Sequence, residues 1–206
     1  MGAIINFKPK SNANFDFKRA RRKRKGAKLE ERGPLKLFNP NRTKVKRLSL
    51  GFGPFEEALL LDDRGDPSAA DRYKKAVAEN DYPADALCNL GIIESSNGNR
   101  TNAFDCFTRS LRLDPKHFES HYNLGNLYFD ISDYTLAKTH YEFAMAIDDS
   151  YSNLYYNLGL LLALEKQYKK AVSTLHQFAS MANEEDALKA KTLANRIIAS
   201  AAMDGT

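Results

Sequence analysis

Downstream of residue 54 the apolar positions recur in steps of three and four. Leu87, Leu90 and Ile93 form one such run, and Phe104, Phe107 and Leu111 the next, the spacing of one buried helix face. The runs are interrupted by "SNGNR" (96–100) and "ISDY" (131–134), where Gly, Asn, Ser and Asp favour turns. Asp114-Pro115 marks a further stop, because a residue before proline resists the helical conformation. The pattern predicts short amphipathic helices arranged as hairpins.

The hairpins repeat. Asn89-Leu90-Gly91, Asn123-Leu124-Gly125 and Asn157-Leu158-Gly159 stand 34 residues apart and divide the chain into blocks 84–117, 118–151 and 152–185. In this register Ala103, Ala137 and Ala171 share the twentieth place, and Phe107, Tyr141 and Leu175 the twenty-fourth. A glycine and an alanine at fixed places in the two helices predict close approach across the hairpin, with the larger residue filling the space beside them. That constraint is one of packing and requires no chemistry.

A weaker copy lies at 54–83, where Ala69, Tyr73 and Ala76 keep the register without the glycine. Asp66 followed by Pro67 is expected to open its second helix. At the other end, residues 186–206 are expected to form a capping helix with Ala187, Ala190, Ala194, Ile197 and Ile198 on one face, since the last unit of a stack needs a cover. Residues 1–53 read as a basic tail and linker expected to stay disordered.

The 34-residue period, with Leu-Gly, Tyr, Ala and aromatic residues at fixed places, resembles the tetratricopeptide repeat. Leu87 and His121 stand where that family prefers Trp, and Asp149 and Asn183 replace its terminal proline. The resemblance implies an all-α solenoid of helical hairpins whose concave surface is built from the first helix of each repeat. Carried over by position, that surface comprises Asn89, then Tyr122, Asn123, Asn126 and Phe129, then Tyr156, Asn157 and Leu160. Apolar, aromatic and amide groups together suit a peptide ligand.

A column of Asn89, Asn123 and Asn157 can both donate to and accept from an extended main chain. It resembles the asparagine ladder of O-linked N-acetylglucosaminyltransferases. Capping of local polar groups is the competing explanation. The carboxylate clamp of chaperone adaptors is not matched, because Cys88, Ile92, Asn153 and Asn157 occupy places where that clamp supplies Lys, Asn, Lys and Arg; this argues against a chaperone C-terminal peptide as ligand.

Charge adds a second candidate. Residues 1–53 hold sixteen Lys or Arg against three acidic residues, whereas the remainder is acidic, within an overall charge of +5. The run "KRARRKRKGAK" (18–28) gathers Lys18, Arg19, Arg21, Arg22, Lys23, Arg24, Lys25 and Lys28. Such a run is suited to binding nucleic acid or an anionic surface, or to folding back on an acidic rim of the body formed by Asp85, Glu119 and Asp130. A merely solubilising extension is the plain alternative.

Catalysis finds no support. His117, His121, His140 and His176 are scattered, Cys88 and Cys106 form neither a metal motif nor a disulfide framework, and the three glycines fall in mid-helix rather than in a phosphate-binding turn. No catalytic residue, metal site or cofactor is expected. Without a signal peptide or a run of ~20 apolar residues, a cytoplasmic setting is expected, or a nuclear one in a eukaryote. The sequence thus predicts a non-enzymatic adaptor that binds a protein segment in its concave groove, with nucleic-acid binding through the tail as the alternative.

Overall fold

The computed structural model describes residues 17–21 and 52–204. Among these residues the chain forms nine α-helices and no strand: α1 (Pro54–Asp62), α2 (Ala69–Ala78), α3 (Pro83–Ser96), α4 (Arg100–Leu113), α5 (Phe118–Asp130), α6 (Tyr134–Ile147), α7 (Ser152–Leu164), α8 (Tyr168–Met181) and α9 (Glu184–Asp204). Helices pair as α1–α2, α3–α4, α5–α6 and α7–α8, each hairpin stacks on the next, and α9 packs on α8. The architecture is a solenoid of four helical hairpins with a closing helix.

The small and large places of the repeat explain the pairing. Ala103, Ala137 and Ala171 are fully buried, as are Phe107, Tyr141 and Leu175. The close approach differs in one detail from the sequence expectation. A Cβ added to Gly91 would lie 2.7 Å from the ring of Phe107, and one on Gly159 2.8 Å from Leu175. One on Gly125 would collide with the ring of Tyr141. The glycine therefore receives the large side chain of the twenty-fourth place directly, and the alanine is a secondary neighbour.

The bend inside each hairpin also recurs. Gly98, Ser132 and Lys166 stand 34 residues apart, and all three adopt positive φ, at 81°, 64° and 60°. Reversing direction in so few residues takes one left-handed residue, which glycine supplies at no steric cost and Ser132 and Lys166 do not. At the front, Phe55 N–H donates to Asp81 Oδ2 at 2.8 Å, and that carboxylate fills the space where a side chain on Gly53 would stand.

Two expected boundaries move. Asp66 does not cap α2; its Oδ1 accepts from the N–H and hydroxyl of Ser68, closing a local turn that delays the helix to Ala69. The terminal helix begins at Glu184, where Asn183 Oδ1 accepts from Asp186 N–H and Asn183 Nδ2 donates back to the Asp186 carboxylate. Ala187, Ala190, Ala194 and Ile197 are buried as expected, but Ile198 is 51% exposed, one position beyond the buried stripe. None of the described helices is long and apolar enough to cross a membrane.

Candidate functional site

The first helices of successive hairpins, α3, α5 and α7, lie side by side, which sets Asn89, Asn123 and Asn157 on consecutive rungs. Two rungs are occupied by the chain's own N-terminal segment. Asn89 Oδ1 accepts from Ala20 N–H at 2.8 Å, and its Nδ2 donates to the Ala20 carbonyl at 3.0 Å. Asn123 does the same for Lys18, at 2.9 and 3.1 Å. The partners fix both amide orientations, because a main-chain N–H must meet Oδ1 and a carbonyl must meet Nδ2. Residues 18 and 20 turn their main-chain groups the same way, the two-residue period of an extended chain, and the segment runs opposite to the order of the repeats.

Asn157 plays a different part. Its Nδ2 donates to Tyr122 Oη at 3.1 Å and to Asn126 Oδ1 at 3.0 Å, and Asn126 Oδ1 also accepts from Tyr141 Oη at 2.8 Å. Tyr122 and Asn126 are fully buried, and Asn126 Nδ2 is buried without a hydrogen-bond partner. Of the remaining concave positions, Phe129 is buried and meets Tyr134 edge-on, Tyr156 packs against Phe178, and half-buried Leu160 lies against the cluster around Tyr141 and Leu154. Asn89, Asn123 and the aromatic group around Tyr122 are thus brought to the docked segment, while the other positions serve the wall behind it.

Each docked side chain has its own seat. The Lys18 ammonium lies 4.1 Å from the ring centroids of both Phe118 and Tyr151, which meet edge to face at 85°. Tyr122 stacks behind Phe118. Two ring faces turned on one ammonium form a cation–π corner. Ala20 is 1% exposed in a pocket with Cys88, Ile92 and Leu124, and Phe17 stacks on Phe107 at 6.4 Å.

The two arginines reach the end of α1. Arg19 Nη2 lies 2.9 Å from Asp62 Oδ1, and Arg21 Nη2 lies 2.7 Å from Asp63 Oδ1. Burial pushes the Asp62 carboxyl above its ordinary pKa against the pull of Arg19, so the guanidinium compensates a desolvation cost. Asp62 Oδ2 accepts from Tyr73 Oη, and Tyr73 Oη accepts from Asn89 Nδ2. The acidic seat and the asparagine clamp are therefore one hydrogen-bonded unit.

Of the eight basic residues singled out in the tail, Lys18, Arg19 and Arg21 are held against the body; Arg22, Lys23, Arg24, Lys25 and Lys28 lie outside the described residues, as does most of the expected disordered tail. The sequence reading missed Asp62, Asp63, Phe118 and Tyr151; of the rim of Asp85, Glu119 and Asp130 that it expected, Asp85 is buried beside His117, and the docked arginines meet Asp62 and Asp63 instead. The pair "DD" at the end of α1 was a visible signal, but only folding shows that it faces the groove. Phe118 and Tyr151 sit at helix starts, outside the concave positions that the resemblance implies.

Two histidines pair outside the groove. His121 Nε2 lies 3.1 Å from the Pro115 carbonyl, which can only accept, leaving His121 Nδ1 to accept from His140 Nδ1 at 3.1 Å. Burial, and then the neighbouring His121, hold the His140 pKa down to about 4. No group of three or more metal-ligating side chains occurs among the described residues.

Family models described as tetratricopeptide repeat match residues 84–117, 106–139 and 152–185. The chain carries tetratricopeptide repeats over these residues. It is 26% identical over 91 residues to human tetratricopeptide repeat protein 6, covering 44% of this chain and only 18% of that relative's length. Among solved structures, MamA 41-end from Desulfovibrio magneticus RS-1 matches with a TM-score of 0.57 and 20% identity, over 73% of this chain and 92% of that one. The first TPR of Spaghetti (RPAP3), bound to the HSP90 peptide SRMEEVD, matches at 0.52 and 21% identity, over 58% and 95%. These likenesses establish the shared fold.

Proposed function

We propose that this protein is a non-enzymatic adaptor whose concave groove binds an extended polypeptide segment through the main chain. The observation that carries the reading is the two-point clamp that Asn89 and Asn123 each place on one residue of the segment 17–21. Two asparagines on adjacent repeats take alternate residues of an extended chain, whatever its side chains, so the groove has a general means of holding a peptide. A solved relative in fold holds the acidic peptide SRMEEVD, which supports peptide binding by this architecture. The positions for a carboxylate clamp carry Cys88, Ile92, Asn153 and Asn157 here, so a ligand of that acidic kind is not the one proposed.

Selection of random displayed peptides on the full chain carrying Ala20→Arg, a change that crowds the chain's own segment out of the groove, tests the reading. Selected peptides should lose about tenfold or more in affinity on an Asn89→Ala/Asn123→Ala variant with unchanged helicity. Peptides indifferent to that change, or no selected peptide at all, would overturn it. The second reading, a tail that binds nucleic acid or an anionic surface, draws on the eight basic residues within 18–28. It competes with docking, since a phosphate that takes Arg19 or Arg21 must replace Asp62 or Asp63.

A further inference from the structure

The docked segment is the chain's own, and the groove meets it with seats that differ in chemistry. The Lys18 corner is two ring faces, which favour a cation and offer an uncharged chain of the same length only apolar contact. Asp148, whose pKa is lowered first by hydrogen bonds from Ser150 and more weakly by the charge of Lys18, adds a weak attraction for the same ammonium. Ala20 is 1% exposed within the apolar cluster that holds Cys88, Ile92 and Leu124, so a larger side chain at that position would have to displace buried neighbours. The Asp62–Asp63 end asks for guanidinium, because Arg19 bridges both carboxylates at 2.9 and 3.5 Å while Arg21 takes the outer one.

We propose that the groove is specific for a basic extended segment of a partner protein, of pattern Lys-Arg-small-Arg, and that residues 18–21 are an internal copy of this ligand which the partner displaces. This rests on the reading of the groove as a peptide site and adds the sequence that it reads. Charge complementarity selects the partner class: the body excluding the first 53 residues is acidic, and the seats are carboxylates and ring faces. The internal copy belongs to the same chain as the groove, so it competes as an intramolecular ligand, at an effective concentration of about the millimolar range. A partner segment therefore faces a resident competitor of identical chemistry, and binds appreciably only when its own concentration or added contacts exceed that level. The device sets a threshold for binding and shields the ring faces and the buried Asp62 when no partner is present.

The probe is a fluorescein-labelled peptide with the sequence of residues 14–24, titrated by anisotropy into the full chain and into Ala20→Arg, whose own segment no longer fits. Ala20 belongs to the docked segment and to no helix, so this change frees the groove without touching the repeats; circular dichroism checks that helicity is kept. The peptide should bind Ala20→Arg at least about tenfold more tightly than wild type, since the internal copy no longer competes. Norleucine or acetyl-lysine in place of the peptide's lysine at position 18 should weaken binding to Ala20→Arg about tenfold, as should a scrambled peptide of the same composition. Lys18→Glu in the chain should free the groove as Ala20→Arg does, which guards against an effect of the new arginine itself. Equal binding by the scrambled or norleucine peptide would overturn the sequence preference while leaving main-chain binding intact. Equal binding to wild type and both variants, or no binding to any, would overturn displacement. Undiminished affinity after adding Asn89→Ala and Asn123→Ala to Ala20→Arg would instead remove the groove reading beneath it.

Discussion

The side-chain amide of Asn89 holds Ala20 by both main-chain groups, accepting from its N–H at 2.8 Å and donating to its carbonyl at 3.0 Å. The bonds are buried, so each is shielded from competing water, and the same amide is tied through Tyr73 to Asp62. A clamp anchored in this way is pre-oriented before its ligand arrives.

Amide hydrogen exchange of the full chain tests the clamp directly. The Lys18 and Ala20 amides should be protected relative to a peptide of the same sequence, and Asn89→Ala with Asn123→Ala should abolish the protection. Each lost hydrogen bond is worth about 0.5–1.5 kcal/mol, and four are lost together. Protection that survives the double change would mean that the side-chain seats hold the segment alone.

Asn157 should behave unlike its two counterparts. It holds Tyr122 and Asn126, so Asn157→Ala removes partners from buried polar groups and should cost about 1–3 kcal/mol of stability. Asn123→Ala should change the melting temperature less than Asn157→Ala does. The reverse order would place the structural rung at Asn123.

Gly125→Ala is a small change at a position with no room. Its Cβ would enter the ring of Tyr141, which is fully buried and cannot swing aside, so destabilisation of about 1–3 kcal/mol is expected in denaturant titration. Ser132→Gly and Lys166→Gly should act oppositely. Both residues hold positive φ, and glycine relieves that strain for a net gain of up to about 1 kcal/mol after its extra unfolded-state entropy.

The histidine pair predicts a dependence on pH. With the His140 pKa held near 4 in the fold against an ordinary value of about 6.5, the unfolded chain binds the proton first. Its contribution is present above about pH 6.5 and is lost as the pH falls towards 4. His140→Phe, which keeps a ring against Tyr128, should therefore lose less melting temperature than wild type between pH 7 and pH 5. Parallel pH curves for the two proteins would show that His140 titrates normally.

The sequence by itself determined the repeat. A 34-residue period forces glycine, alanine and aromatic residues into register, and such a pattern admits little besides stacked helical hairpins, because helix packing depends on side-chain size at fixed intervals. It also determined the asparagine column, since a one-per-repeat position maps to one face. It misjudged the neighbour of each glycine, the start of α2 and the exposure of Ile198, where one or two residues and local hydrogen bonds decide the outcome. Tertiary structure alone decided what the column holds. Asn89 and Asn123 meet residues 20 and 18 across sequence separations of 69 and 105, and no local pattern encodes that distance. It also decided that Asp62 and Asp63, at the end of one helix, and Phe118 and Tyr151, at the starts of two others, converge on a single five-residue segment. The periodic signal records what each hairpin asks of its neighbour, whereas the seats arise where non-equivalent helix ends meet, and that geometry exists only once the stack has formed.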